Sequence, residues 1–310
     1  MFSTRILKSI KSSILYIVLI FIIIFLFVIF LKKKENFYEK KKYAVCVWGQ
    51  LRGVKKTIDS FNKNLCQPLE ADLFIICQKT NTETDNNLDL YSNVILKKLY
   101  ENPENIQELY SFLCNTENNN NFCDDRHLNI YYNWYKISQD IGDILEKNYQ
   151  YIILTRSDFL HLFPFPDVLN ISQRSDIFWC YDGHEYDGVN ATLICVPSIY
   201  IKEYLSIFYN YMNNPENNSQ ELRYTHIEIY IKIIFEYKKW LIGKMSNNAL
   251  ITADSINEIT TTLVPFYSEL KDIYYKYEHQ FNDSYKSLDI YNNGGKWKYV
   301  IKDTPYLVLE

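Results

Sequence analysis

An arginine and a carboxylate two residues apart, Arg156 and Asp158, interrupt the apolar run "YIILTRSDFLHLF" at residues 151–163. Two is the side-chain period of a strand, so in extended geometry both point the same way and Ser157 faces the other side. Two chemistries suit such a pair. One is a structural ion pair, or a carboxylate capping the next segment. The other is a carboxylate that coordinates a metal ion while the arginine steers phosphate oxygens.

Three further clusters carry groups of the same kind. In "YDGHEYDGVNATLICVP", Asp182, His184, Glu185 and Asp187 fall within six positions, and Gly183 and Gly188 let the backbone turn tightly. This is either a solvated Asp-Gly turn or a loop of hard oxygen ligands and sugar-hydroxyl partners. In "GQLRG", residues 49–53, Gln50 and Arg52 suit a base or a diphosphate, or simply line a strand-to-helix turn. The spacing is neither GxGxxG nor a P-loop, so neither a dinucleotide fold nor an NTPase is supported. In "RYTHIEIYIK", Glu228 opens an apolar helical run, where it complements the helix dipole or closes the acceptor side of a cleft. His226 in the same stretch reads as structural.

These groups need elements to position them. "YAVCVWG" (43–49) reads as a strand that leads through GQLRG into a helix over 54–64, and "ADLFIICQ" (71–78) is a second strand. Residues 79–127 read as polar loops around a short helix near 106–113. A helix over 128–147 carries Ile130, Trp134, Ile137, Ile141, Ile144 and Leu145 at three- and four-residue spacing and feeds directly into the strand before Arg156. Strands over 176–182 and 191–197 flank the acidic loop. Helices follow over 198–211 and 221–242, then a strand near 249–253, and the aromatic tail with "KWKYVI" takes no clear class. Strands alternating with helices predict an α/β fold whose sheet is covered on both faces, with ligands outside the carboxyl ends of the strands.

The N-terminus predicts something different. Residues 14–31, "ILYIVLIFIIIFLFVIFL", contain no charge and no helix breaker. At about 1.5 Å per residue the run spans about 27 Å, close to a bilayer's hydrocarbon core. It is longer than the usual apolar segment of a signal peptide and no small-x-small cleavage site follows, so a retained anchor is expected. The layout is then a short tail (1–13), a transmembrane anchor (14–31), a basic stem (32–42) and one catalytic-sized domain (43–310). Lysines 32, 33, 34, 40, 41 and 42 outnumber Arg5, Lys8 and Lys11, which by the positive-inside rule puts the large domain in the cytoplasm. Sequons at Asn170, Asn190, Asn217 and Asn282 point to a lumen instead, so a single-pass protein with its side undecided is expected.

Residues 1–42 hold nine of the 33 Lys and Arg but two of the 37 Asp and Glu, so residues 43–310 carry 24 basic against 35 acidic residues, a net charge of −11. So acidic a domain is a poor partner for nucleic acid. The seven cysteines show no CxxC pairing and hence no zinc signature; Cys46, Cys77, Cys180 and Cys195 read as buried thiols.

Taken in order, the G-Q-x-R turn, the R-x-D strand end, the D-G loop and the H-x-E helix resemble a family of GT-A-like glycosyltransferases found in polysaccharide gene clusters and in large DNA viruses. The resemblance covers most of residues 43–235. It implies a GT-A-like (Rossmann-like) mixed sheet covered by helices, a nucleotide-sugar donor, and a glycan, protein or lipid hydroxyl as acceptor. It implies a divalent cation, Mn²⁺ or Mg²⁺, at Asp158 with Arg156 beside it, and Gln50 and Arg52 by the nucleotide. It places Asp182, His184 and Glu185 at the sugar or acceptor, and Glu228 or Asp187 as the catalytic carboxylate. The family's D-x-D reads R-x-D here, so Arg156 takes over part of a cation's work in this resemblance. The competing class is a non-catalytic, membrane-displayed carbohydrate-binding or adhesion module, with the 16% aromatic content as stacking surface. A metal hydrolase is disfavoured, since none of the five histidines stands at HxH or HxxxH spacing.

Overall fold

The structure is a computed structural model, and it describes residues 20–25, 40–79, 87–101, 103, 106, 125–172, 174–182, 189–190, 192–212, 227–253, 262–263, 274–275, 278–295 and 299–302. The chain divides into two units, Met1–Lys40 and Lys41–Glu310. In the first, residues 20–25 are helical with every side chain exposed. Most of the expected anchor lies outside the described residues, and among those described no helix is long and apolar enough to cross a membrane.

In the second unit the chain runs β1 (Lys41–Gln50), α1 (Val54–Phe61), β2 (Asp72–Gln78), β3 (Val94–Tyr100), α2 (Asp125–Asn148), β4 (Tyr149–Thr155), β5 (Phe159–His161) and α3 (Val168–Ile171). It continues with β6 (Ile177–Tyr181), β7 (Ile194–Pro197), α4 (Ile201–Met212), α5 (Ile227–Lys238), β8 (Leu241–Met245), β9 (Ala249–Ala253), β10 (Thr262–Leu263), β11 (Tyr274–Tyr275), α6 (Glu278–Asn292) and β12 (Tyr299–Lys302). Among the described residues the strands form an eight-stranded sheet, β12-β8-β6-β7-β4-β1-β2-β3, and a four-stranded one, β10-β11-β9-β5. In the large sheet β3, β2, β1 and β4 are parallel, β7 runs antiparallel between β4 and β6, and β8 is parallel to β6. The carboxyl ends of β1, β2, β4, β6 and β8 therefore share one edge. This is the mixed α/β sheet the sequence predicts.

Both faces of that sheet are covered, which is why its strands are apolar throughout instead of alternating. Along β1, Ala44, Cys46 and Trp48 enter one core with Trp134, Ile137, Ile141 and Leu145 of α2, Tyr204 of α4 and Phe235 of α5. Tyr43, Val45 and Val47 enter the other, with Val54 and Phe61 of α1 and Ala249 and Ile251 of β9. On α2 the stripe falls on Tyr131, Trp134, Ile137, Ile141 and Leu145, whereas Ile144 is exposed. Cys46, Cys77, Cys180 and Cys195 are buried free thiols as expected, and burial pushes Cys46 up to about 12, so it stays protonated and inert.

The structure corrects two local expectations and classes the tail. Residues 94–100, read as loop, form β3; it is an edge strand whose Ile95, Lys97 and Lys98 are exposed, so it lacks the continuous apolar signature of its neighbours. The helix expected to reach 242 ends at Lys238, where Lys239 is left-handed (φ 56). There Trp240 N donates to Phe235 O (3.0 Å) and Lys239 N to Glu236 O (3.2 Å), and the two rings pack at 5.4 Å. That is a Schellman cap made without glycine, so the residue that usually marks a helix end is missing and β8 is hidden. The aromatic tail supplies β12, antiparallel to β8.

Candidate functional site

The site forms where β1 and β4 end. Gly49 (φ 83) and Gly53 (φ 62) are both left-handed, so the chain leaves β1 and enters α1 through a turn closed by Arg52 N donating to Gln50 O (3.0 Å). β4 stops at Thr155, so Arg156, Ser157 and Asp158 occupy the tight turn into β5 and not an extended strand. Arg156 and Asp158 nevertheless converge. Nε of Arg156 donates to Oδ1 (2.9 Å) and Nη2 to Oδ2 (2.5 Å), a two-pronged guanidinium–carboxylate pair. Arg52 Nη2 stands 3.9 Å from the same Oδ2. Exposure of the three side chains is graded, 7% for Asp158, 22% for Arg156 and 45% for Arg52, so the carboxylate lies behind and the guanidiniums in front.

Ser157 joins the two turns. Its buried hydroxyl accepts from Arg52 N (3.0 Å) and has the carbonyls of Gln50 (3.1 Å) and Arg52 (2.9 Å) as acceptors for its one proton. Thr57 on α1 donates to Ser157 O (2.7 Å). From the other side, Thr252 of β9 donates its N–H (2.9 Å) and its hydroxyl (3.1 Å) to Asp158 O. The sequence alone turns Ser157 away from Arg156 and assigns it nothing. Facing away is what places it against the β1 turn.

In front of the guanidiniums is a cavity of about 360 Å³, within the size range of small-ligand sites. Its wall includes Gln50, Arg52 and Arg156, Gln78 at the end of β2, and Asn129 and Asn133 on α2, with Trp48 and Gly49 at the floor of β1. Asn129 and Asn133 are four residues apart and so share one helix face. No carboxylate is among the lining residues described. Two guanidiniums to one recessed carboxylate leave the wall net cationic, in a domain that is acidic as a whole. Such a wall suits an anionic ligand with hydrogen-bond acceptors. Gln78, Asn129 and Asn133 were missed in the sequence; their signal is an amide at a strand's carboxyl end and an i, i+4 amide pair on the helix facing it.

The structure thus unites Gln50, Arg52, Arg156 and Asp158. Asp182 stands elsewhere on the same edge, one residue past β6, with its carboxylate 3.6 Å from the buried Lys244 Nζ. Glu228 is in the first turn of α5, and its carbonyl accepts from Val189 N (2.9 Å). Neither lines the cavity. His184, Glu185, Asp187 and His226 lie outside the described residues.

A divalent cation at Asp158 does not fit the residues described. Both carboxylate oxygens are engaged by Arg156, so an ion would have to share them with one guanidinium and face a second. Among the described residues no three His, Cys, Asp or Glu gather closely enough to hold a metal. Among the described residues, the cation expected from the R-x-D motif therefore finds no further acidic, histidine or cysteine ligand beside Asp158.

No family model matches the chain, and no curated protein matches it. Solved structures similar to it include mouse xyloside xylosyltransferase 1 in its apo form (TM-score 0.37, 9% identity, 61% of this chain and 79% of that one). Another is the glycosyltransferase GlyE of Streptococcus pneumoniae TIGR4 in its apo form (TM-score 0.37, 11% identity, 63% of this chain). The match spans 44% of the GlyE chain. Likeness at these TM-scores is too slight to carry an argument about function.

Proposed function

We propose that this chain is a membrane-anchored glycosyltransferase with a GT-A-like fold, moving a sugar from a nucleotide-sugar donor to a hydroxyl of a glycan, protein or lipid. The observation that carries the reading is the arginine-lined cavity at the carboxyl edge of the mixed sheet, with Arg156 braced from behind by Asp158. A surface that binds neutral sugars works through aromatic stacking and neutral hydrogen bonds and has no use for two guanidiniums converging in a recess. A donor carrying a diphosphate has that use. The order of motifs along the chain adds support, as does a sheet whose ligand edge collects Gln50, Gln78, Arg156 and Asp182.

In this reading Gln50 and Arg52 lie by the nucleotide, with Arg52 on the side of its phosphates, and Arg156 lies by the diphosphate. Asp182, His184 and Glu185 contact the sugar or acceptor, and Glu228 or Asp187 takes the acceptor proton if configuration inverts. The acceptor oxygen bonds to the anomeric carbon as the bond from that carbon to the diphosphate oxygen breaks. Residues 14–31 span the membrane and hold the domain at its surface.

The test is donor hydrolysis and sugar transfer by the full-length chain in detergent, across UDP- and GDP-sugars, with CMP-sugars, which carry one phosphate, as the control. Donor-specific turnover that Arg156→Ala abolishes, in a variant that keeps its thermal transition, is the expected result. Folded wild-type protein that turns over no donor but retains glycan on a glycan array would replace the transferase with the carbohydrate-binding module.

A further inference from the structure

We infer that the donor's diphosphate is held directly by the guanidiniums of Arg52 and Arg156, with no divalent cation between carboxylate and phosphate, and that Asp158 serves to fix Arg156 and to draw Arg52 towards it. The inference rests on the nucleotide-sugar reading and deepens it.

Three observations converge. The carboxylate that the motif offers to a metal is already neutralised, because Arg156 grips both of its oxygens and Arg52 stands 3.9 Å from one of them. The charged groups that line the cavity are the arginines, and the carboxylate does not line it. The arginines are held from behind. Arg52 is tethered at its backbone N–H by the Ser157 hydroxyl, and the turn carrying Arg156 is tethered through Asp158 O to Thr252. A guanidinium already fixed in place, as that of Arg156 is by both oxygens of Asp158, loses less freedom on meeting an anion, and it needs no reorganisation when charge builds on the leaving group.

The chemistry balances without a metal. The electron pair of the breaking bond between the anomeric carbon and oxygen stays on the diphosphate, where guanidinium N–H groups receive it. The acceptor's proton leaves on a carboxylate, and nothing is oxidised or reduced. A divalent cation entering the same space would meet two positive charges.

The test is calorimetric titration of the full-length chain in detergent with UDP, GDP and inorganic pyrophosphate, once in EDTA and once in Mn²⁺. At least one nucleoside diphosphate is expected to bind equally well in both. Arg52→Ala should weaken that binding by about tenfold or more, the usual consequence of losing a charged hydrogen-bond donor. Arg52 is the residue to change because its side chain is half exposed and the tether to its backbone survives; Arg156→Lys is the second variant, expected to weaken binding while keeping a positive charge beside Asp158. Binding that appears only with Mn²⁺ would overturn the inference and leave the transferase reading standing. Absence of binding in both conditions would overturn both. Wild-type affinity in Arg52→Ala would also overturn it.

Discussion

Removing one buried oxygen should separate the two turns that make the site. In Ser157→Ala, Arg52 N–H loses one of its two acceptors, and the carbonyls of Gln50 and Arg52 lose their shared donor. Ser157 is 1% exposed, so water does not replace the hydroxyl. A buried hydrogen bond contributes about 1 kcal/mol net, and a buried group left unsatisfied costs about 1–3 kcal/mol. Two bonds are lost, but Arg52 N–H keeps its contact with Gln50 O within the turn, so the expected loss is about 2 kcal/mol. For a unit of this size that is a fall in Tm of about 4–8 °C. Freeing the Arg52 backbone should also weaken nucleoside diphosphate binding, by about threefold to tenfold, through lost pre-organisation. Thr57→Val separates the two effects. It removes the bond to Ser157 O (2.7 Å) on the same turn without touching Arg52, so it should lower Tm with a smaller change in affinity. Differential scanning calorimetry and titration of both variants read this directly. A Ser157→Ala protein melting within about 1 °C of wild type, with unchanged affinity, would refute the idea that this hydroxyl joins the turns.

Gly53→Ala should cost about 2 kcal/mol by chemical denaturation, because φ 62 is strained for alanine and its Cβ would come within 2.9 Å of Thr252 Oγ1, disturbing the bond to Asp158 O. Gly243→Ala in β8 should be harsher, about 3 kcal/mol or loss of soluble protein, since the new methyl would fall on the ring of the fully buried Trp179; a wild-type melting curve would contradict that packing. His161 is buried against Phe61 and Phe159, and burial lowers its pKa to about 3 from an ordinary 6.5. The native ring is thus neutral where the unfolded ring is charged, so stability falls as pH drops from about 6.5 towards 3, by up to about 1.4 kcal/mol per unit. His161→Phe should flatten that slope relative to wild type in urea titrations across this window; identical slopes would place the acid sensitivity elsewhere.

Much of the frame was legible in the chain. Continuous apolar runs marked β1, β2, β4, β6 and β7 because strands covered on both faces need no polar side, and the period of α2 showed in its buried stripe. The misses have local causes: β3 is an edge strand guarded by lysines, and β8 follows a helix capped by a left-handed lysine where a glycine is the usual signal.

The site divides the same way. The types and spacing of Arg156 and Asp158 were enough to expect a pair at the ligand edge, because two nearby residues meet in a strand and in this turn alike. That the pair closes on itself, with Arg52 beside it, only the tertiary structure decided. So too the task of Ser157, whose hydroxyl meets the backbone of Arg52 across 105 positions of chain, and the amides of Gln78, Asn129 and Asn133 that complete the wall. Periodicity is a property of neighbours along the chain. Which oxygen is spent on which guanidinium depends on two turns brought together by strand pairing, and that pairing is set by the burial of whole faces.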